Sequence, residues 1–225
     1  MWRQILKMLT KDDLQVQALN ECYEMLDLCH EMVTASVESL RNREDASVDV
    51  DVYETDRKLN AFERDVRRKV MTHLAVGHPE DISSGLSLVS IVVDIERIGD
   101  YSKNICDLAM DHPGRLHGGP VEDDLRAVER KALEHFDRTV SNFKRGDIEE
   151  ARRLMSLYKE DISGQCSAVV KSLVTGKADV PAPEAAALAL YLRFLKRISA
   201  HSRNLVSSLV NPFHRIGYHE KREKR

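Results

Sequence analysis

Apolar residues in this chain recur at intervals of three and four over long stretches, and no other feature restricts the fold as tightly. The first stretch, about residues 12–43, carries the stripe Leu19, Cys22, Leu26, Cys29, Val33, Val37 and Leu40. That period belongs to an α-helix with one buried face. Five more such stretches follow, at about residues 48–76, 82–110, 121–144, 148–175 and 184–210. Between them fall "GHPED" at 77–81, "DHPGRLHGGP" at 111–120, "RGD" at 145–147 and "TGKADVPAP" at 175–183, whose prolines and glycines stop helices. Short loops between long helices make neighbours antiparallel. The longest break divides the six helices three and three. The expected fold is all-α: two tandem three-helix bundles, residues 1–112 and 120–211, followed by a basic tail at 212–225. An aromatic content of only 5% with 32% charged residues agrees with helices and not with a β-sandwich.

The halves can be laid on one another. "IERIGDYSKNI" at 95–105 matches "LKRISAHSRNL" at 195–205, so that Arg97, Ile98, Ser102 and Asn104 recur as Arg197, Ile198, Ser202 and Asn204. "YETDRKLN" at 53–60 matches "YKEDISGQ" at 158–165, where Tyr53 and Asp56 recur as Tyr158 and Asp161. Matches in two separate helices indicate duplication of a three-helix unit.

The third helix brings a conflict. Its face Ile82, Leu86, Val89 and Val93 continues into Glu96 and Asp100. On the second helix, Asp56 and Glu63 fall within the stripe Val52, Leu59, Val66 and Val70. Buried carboxylates need compensation. Two solutions are open: a hard cation or an iron or zinc cluster held by oxygen ligands, or ion pairs with Arg57, Arg64, Arg67, Arg68 and Arg97. Asp94 points away from this face and is expected in solvent or beside a Lys or Arg. A second apolar face, Ile91, Ile95, Ile98 and Ile105, lies on the opposite side, so periodicity leaves open which face is core and which lines a groove. In the second half Glu96 becomes Lys196, Asp100 becomes Ala200 and Glu63 becomes Ala168, so only the first half is a candidate cation site.

"DIERIGDYSKNI" following "ETDRKLN" resembles the PhoU family of phosphate-uptake regulators, strongly in the first half and weakly in the second. The resemblance implies two three-helix bundles, a homodimer, a cytoplasmic location and a metal site. Its residues here would be Glu96 and Asp100, then Asp56 on the preceding helix, with Asn60 and Glu63 as further members. "KRISA" departs from the pattern, so no second site is implied. The resemblance further implies a regulator of phosphate transport and phosphate-responsive signalling. Such a protein works by contact with a phosphate transporter component, a two-component sensor kinase, or both, and reaches the membrane through that partner. Its alternatives are a metal-binding helical bundle with a storage or enzymatic role, and an accessory protein of a sodium–phosphate cotransporter.

The chain shows no Gly-rich phosphate loop, nucleophile elbow or His/Cys pair at ligand spacing, so no enzyme activity is expected. A net charge of −3 gives no electrostatic case for nucleic acid. Four cysteines without a CxxC, and no signal peptide, point to a reducing cytoplasm. "MWRQILKML" places Trp2, Ile5, Leu6 and Leu9 on one face, for packing within the protein or a dimer or for a membrane surface. Asp27 and His30, an acid and a histidine three apart, read as surface. The tail "GYHEKREKR" reads as a solvated end.

Overall fold

The computed structural model describes residues 13–77 and 79–220. The amphipathic segment at the start of the chain and the last five residues lie outside them. The described helices are α1 Leu14–Asn42, α2 Val52–Val76, α3 Ile82–Asp111, α4 Glu122–Arg145, α5 Ile148–Leu157, α6 Gly164–Val174 and α7 Ala182–Val210. A π-helical turn, Tyr158–Ser163, joins α5 to α6, so the fifth rod is continuous but not uniformly α. No strand occurs among the described residues.

The helix ends follow from local chemistry. Asp13, Asp51 and Asp147 each accept a hydrogen bond at the start of a helix, from Gln15 N at 2.7 Å, Glu54 N at 2.8 Å and Glu149 N at 3.0 Å. Gly146 ends α4 in the left-handed region, φ 68°, with its N–H donated to Asn142 O at 2.8 Å. "RGD" is therefore a stop and a start in succession.

α1, α2 and α3 form one bundle; α4, the α5–α6 rod and α7 form the other, and α3 packs along α7 between them. The α1 stripe is buried throughout, from Leu19 at 2% exposed to Leu40 at 1%. The duplication is visible in detail. Ile98 and Ile198 are both core, and Ser102 and Ser202, both fully buried, each donate to the carbonyl four residues back at 2.8 Å. Tyr101 and its counterpart His201 stack on each other across the interface at 5.8 Å and 26°.

The interface also corrects the reading of Asp94. It is neither solvated nor paired with Lys or Arg. Its Oδ1 accepts from His201 Nδ1 at 2.7 Å and Asn204 Nδ2 at 2.9 Å, both on α7. A helix apolar on two sides buries its intermediate face too, once a second bundle covers it. At the other end, Arg41 is buried between the halves. Its guanidinium donates to Glu129 at 2.9 Å, to Glu122 at 2.7 Å and to the Leu116 carbonyl in the linker. Tyr191 of α7 donates to the same Glu129 oxygen at 2.7 Å. On the surface, Asp27 pairs with Lys144 and His30 with Asp137 of α4.

The start of the tail is not a free end either. Asn211 donates to the carbonyls of Arg215 at 3.1 Å and Tyr218 at 2.7 Å. Gly217 N–H donates to Ser207 Oγ at 2.7 Å, and Arg152 grips Glu220 at 2.7 and 2.8 Å. Basic residues beyond made this segment look solvated, but its contacts are backbone turns that composition does not reveal.

Candidate functional site

The isoleucine face of α3 is the core. Ile91, Ile95, Ile98 and Ile105 are all fully buried, whereas Ile82 and Leu86 are exposed and Val89 and Val93 half-buried. The carboxylates therefore stand on the outer side of α3, at the rim of a groove toward α2. What brings the two helices together is Gly99. A Cβ there would come within 2.4 Å of Leu59 Cδ1, a residue 1% exposed, so any larger residue would have to push the buried Leu59 side chain aside. Val52, Leu59, Val66 and Val70 of α2 are buried against it, which leaves Asp56, Asn60 and Glu63 half-buried at the edge.

These residues share one electrostatic neighbourhood. Burial raises the Glu96 carboxyl above the usual carboxylate range, and the charges of Asp100, Glu63 and Asp56 push it further, against Arg97. Each acid has a cation at hand. Lys103 Nζ donates to Asp56 Oδ2 at 2.8 Å and lies 3.9 Å from Asp100. Arg97 donates to Asp100 at 2.8 Å and approaches Glu96 to 3.6 Å. Arg67 holds Glu63 at 2.8 Å. Asn60 spends its amide on the Asp56 carbonyl of its own helix, at 2.9 Å. Asp56, Glu63, Glu96 and Asp100 are thus brought to one groove and Asn60 to its edge, but as an ion-pair network. Among the described residues no three His, Cys, Asp or Glu side chains converge as metal ligands. A metal centre does not fit this arrangement without rearranging Lys103 and Arg97. Lys103 is the partner that sequence reasoning missed, although its place three residues after Asp100 is the usual helical pairing distance.

Among the described residues no activated thiol lies near. All four cysteines are buried, and burial pushes their thiols up, Cys166 to about 11 and Cys22 and Cys29 further. Among the described residues no helix is long and apolar enough to cross a membrane.

A family model described as the PhoU domain matches residues 22–109, from the third turn of α1 to the last turn of α3. That part of the chain is similar to a PhoU domain. Its span takes in the whole acidic groove and stops where the duplication's second copy has yet to begin. The phosphate-specific transport system accessory protein PhoU homolog of Pseudomonas putida is 28% identical over 192 residues, 80% of this chain and 70% of that protein. The phosphate-specific transport system accessory protein PhoU of Serratia marcescens is 24% identical over 152 residues, 66% of this chain. The matched part spans 60% of the length of that relative. Two crystal structures share the architecture. PhoU from Pseudomonas aeruginosa has a TM-score of 0.78 at 20% identity, over 89% of this chain and 97% of that one. The phosphate transport system regulatory protein PhoU from Streptococcus pneumoniae has 0.73 at 16%, over 87% and 93%. The second bundle, outside the domain match, therefore keeps the PhoU fold.

Proposed function

We propose that this protein is an accessory regulator of a phosphate-specific transport system, acting by protein–protein contact and without turnover. The observation that carries the reading is the similarity of residues 22–109 to a PhoU domain, supported by relatives in several bacteria that bear that accessory name. Its partners on this reading are a transporter component and the sensor kinase that reports phosphate. It works at the cytoplasmic face as a homodimer. The groove supports contact chemistry: half-buried acids and their clamping cations can exchange partners with a docked basic side chain at modest cost. Affinity capture of the tagged protein from cells grown in high and in low phosphate tests it. The expected result is a phosphate-transporter subunit or kinase enriched in one condition. Capture of neither in either condition refutes it. A cation in the groove would have to displace Lys103 and Arg97, and elemental analysis of fresh protein, with Asp100→Asn as control, reads whether one does.

A further inference from the structure

The second bundle holds a second candidate site. A cavity of about 180 Å³ opens between α4 and the fifth rod, at the π-helical turn. Single π turns inside helices recur at functional sites because they widen the rod and re-aim its side chains. Arg130, Lys131 and Arg138 line the cavity with Glu134, Asp161 and His135. Lys131 is engaged by Asp161 at 3.1 Å and by Gln165 at 3.3 Å. Arg138 is engaged by Glu150 at 2.6 and 2.9 Å and approaches Glu134 to 3.5 Å. Arg130 has no such partner among the described residues, so it is the cation left over.

His135 defines the ligand more sharply. It is 2% exposed, and its Nε2 lies 3.0 Å from the Leu154 carbonyl. A carbonyl only accepts, so Nε2 carries the proton and Nδ1 presents a lone pair. That Nδ1 is buried and has no hydrogen-bond partner. Burial, with the charges of Arg138 and Arg203, holds the ring neutral by lowering its pKa to about 4. The site thus offers a buried acceptor beside one guanidinium without a partner among the described residues, since Glu134 and Glu150 are both spent on Arg138 and Asp161 on Lys131. An unmet buried acceptor is costly, so a donor is called for there. A bare anion satisfies the cations and leaves Nδ1 unmet. A cation or neutral donor satisfies Nδ1 and leaves Arg130 unmet.

We propose that this cavity binds a tetrahedral oxyanion that still carries a proton, inorganic monohydrogen phosphate, with its P–OH donated to His135 Nδ1 and its other oxygens accepting from Arg130 and Lys131. Sulfate has the same shape and charge and no proton to donate. Phosphomonoesters, whose second ionisation falls near pH 6, have also lost theirs at pH 8. The proposal goes beyond the accessory role and stands apart from it: a protein that captures no transporter can bind phosphate, and the reverse.

The test titrates the purified full-length protein at pH 8 with sodium phosphate, sodium sulfate and phosphoserine, read by calorimetry and by the ¹⁵N resonances of His135. The expected result is saturable phosphate binding that moves the His135 Nδ1 signal, with sulfate and phosphoserine each at least about tenfold weaker, the worth of one good hydrogen bond. Arg130→Ala, at an exposed position that should not disturb folding, weakens phosphate by a similar factor. Sulfate binding as tightly as phosphate overturns the proposal, since charge alone is then read. Phosphoserine binding as tightly overturns it in favour of a phosphorylated side chain. A His135 signal that stays put at saturating phosphate shows that only water reaches Nδ1, which also overturns it.

Discussion

Replacing Arg41 with Met should uncouple the two bundles. Arg41 is 6% exposed and joins the end of α1 to the linker carbonyl of Leu116, to Glu122 and Glu129 of α4 and, through Glu129, to Tyr191 of α7. Methionine keeps most of the aliphatic stem, so little packing is lost. What remains is the orphaned acid. Glu122 retains Arg126 and the Gly118 N–H, so its loss is small. Glu129, with a side chain 18% exposed, retains only the Tyr191 hydroxyl. Removing one partner of a buried pair costs about 3–5 kcal/mol. With Glu129 partly hydrated and one hydrogen bond kept, the low end applies, about 3 kcal/mol. For a chain of this size that is about 6–12 °C in melting temperature. The assay is urea unfolding followed by circular dichroism for wild type, Arg41→Met, Glu129→Gln and the double variant. Because most of the loss is an uncompensated charge, the double variant should regain at least about 1 kcal/mol over Arg41→Met. A single variant costing under about 1 kcal/mol, or a double variant no better than Arg41→Met, refutes the reasoning.

Three further outcomes follow from the geometry. His135 has a folded pKa of about 4 against about 6.5 unfolded, so the unfolded chain binds the extra proton between those values. Its contribution, about 3 kcal/mol, is present above pH 6.5 and is lost as pH falls toward 4; pH-dependent unfolding of wild type against His135→Gln should show that slope only in the former. Glu96 has its folded pKa raised by burial and by Asp100, so its charge opposes folding at neutral pH. Glu96→Gln should therefore stabilise by about 0.5–1 kcal/mol at pH 7 in urea titrations, a gain that shrinks as pH falls through the carboxylate range. Gly99→Ala forces a Cβ onto Leu59 and should destabilise by about 1–2 kcal/mol despite its better helix propensity, whereas Gly164→Ala, with nothing within 4 Å, should stabilise by up to about 1 kcal/mol.

The rods were legible because each carries its own period, and the α4–α5 boundary because Gly146 and Asp147 punctuate it; periodicity places the start of α2 four residues early, at about 48, whereas the helix begins at Val52 behind its cap Asp51. The π turn was not, since it begins at Tyr158, where the sequence match to Tyr53 makes the two halves look most alike. The groove was half legible. Which acids share it could be read from a helical wheel; which side of α3 faces inward could not, because apolar residues occupy both. That choice is made by α7, through contacts such as Asp94 with His201 that lie 107 residues apart. No local pattern encodes them. Arg41 is a parallel case: at the end of α1 it looks like a cap for the last carbonyls, and only the fold of the linker buries it.

The two halves show what duplication preserved and what it released. Ile98 with Ser102 and Ile198 with Ser202 occupy a close-packed seam, where a change of one methylene is felt, and both pairs keep the same residues and the same back-bonded hydroxyls. Groove positions face water on one side and tolerate exchange. There Glu96 and Asp100 have become Lys196, which donates to Ser167 at 2.7 Å, and Ala200. Asp161, the acid that remains, has turned from the α2–α3 type of groove to Lys131 of α4, at the cavity beside the π turn. One frame thus carries an acidic groove clamped by lysine and arginine on its first half and, on its second, a mixed-charge cavity with one guanidinium to spare beside a neutral histidine. α3 and α7 form the larger seam between them, and α1 also meets α4, so occupancy of the cavity can reach the groove through α7 and α3 or through α4 and α1. Asp94→Asn, which weakens the bond to His201 while leaving both sites' own residues intact, should accordingly alter any coupling between phosphate binding and partner capture without removing either.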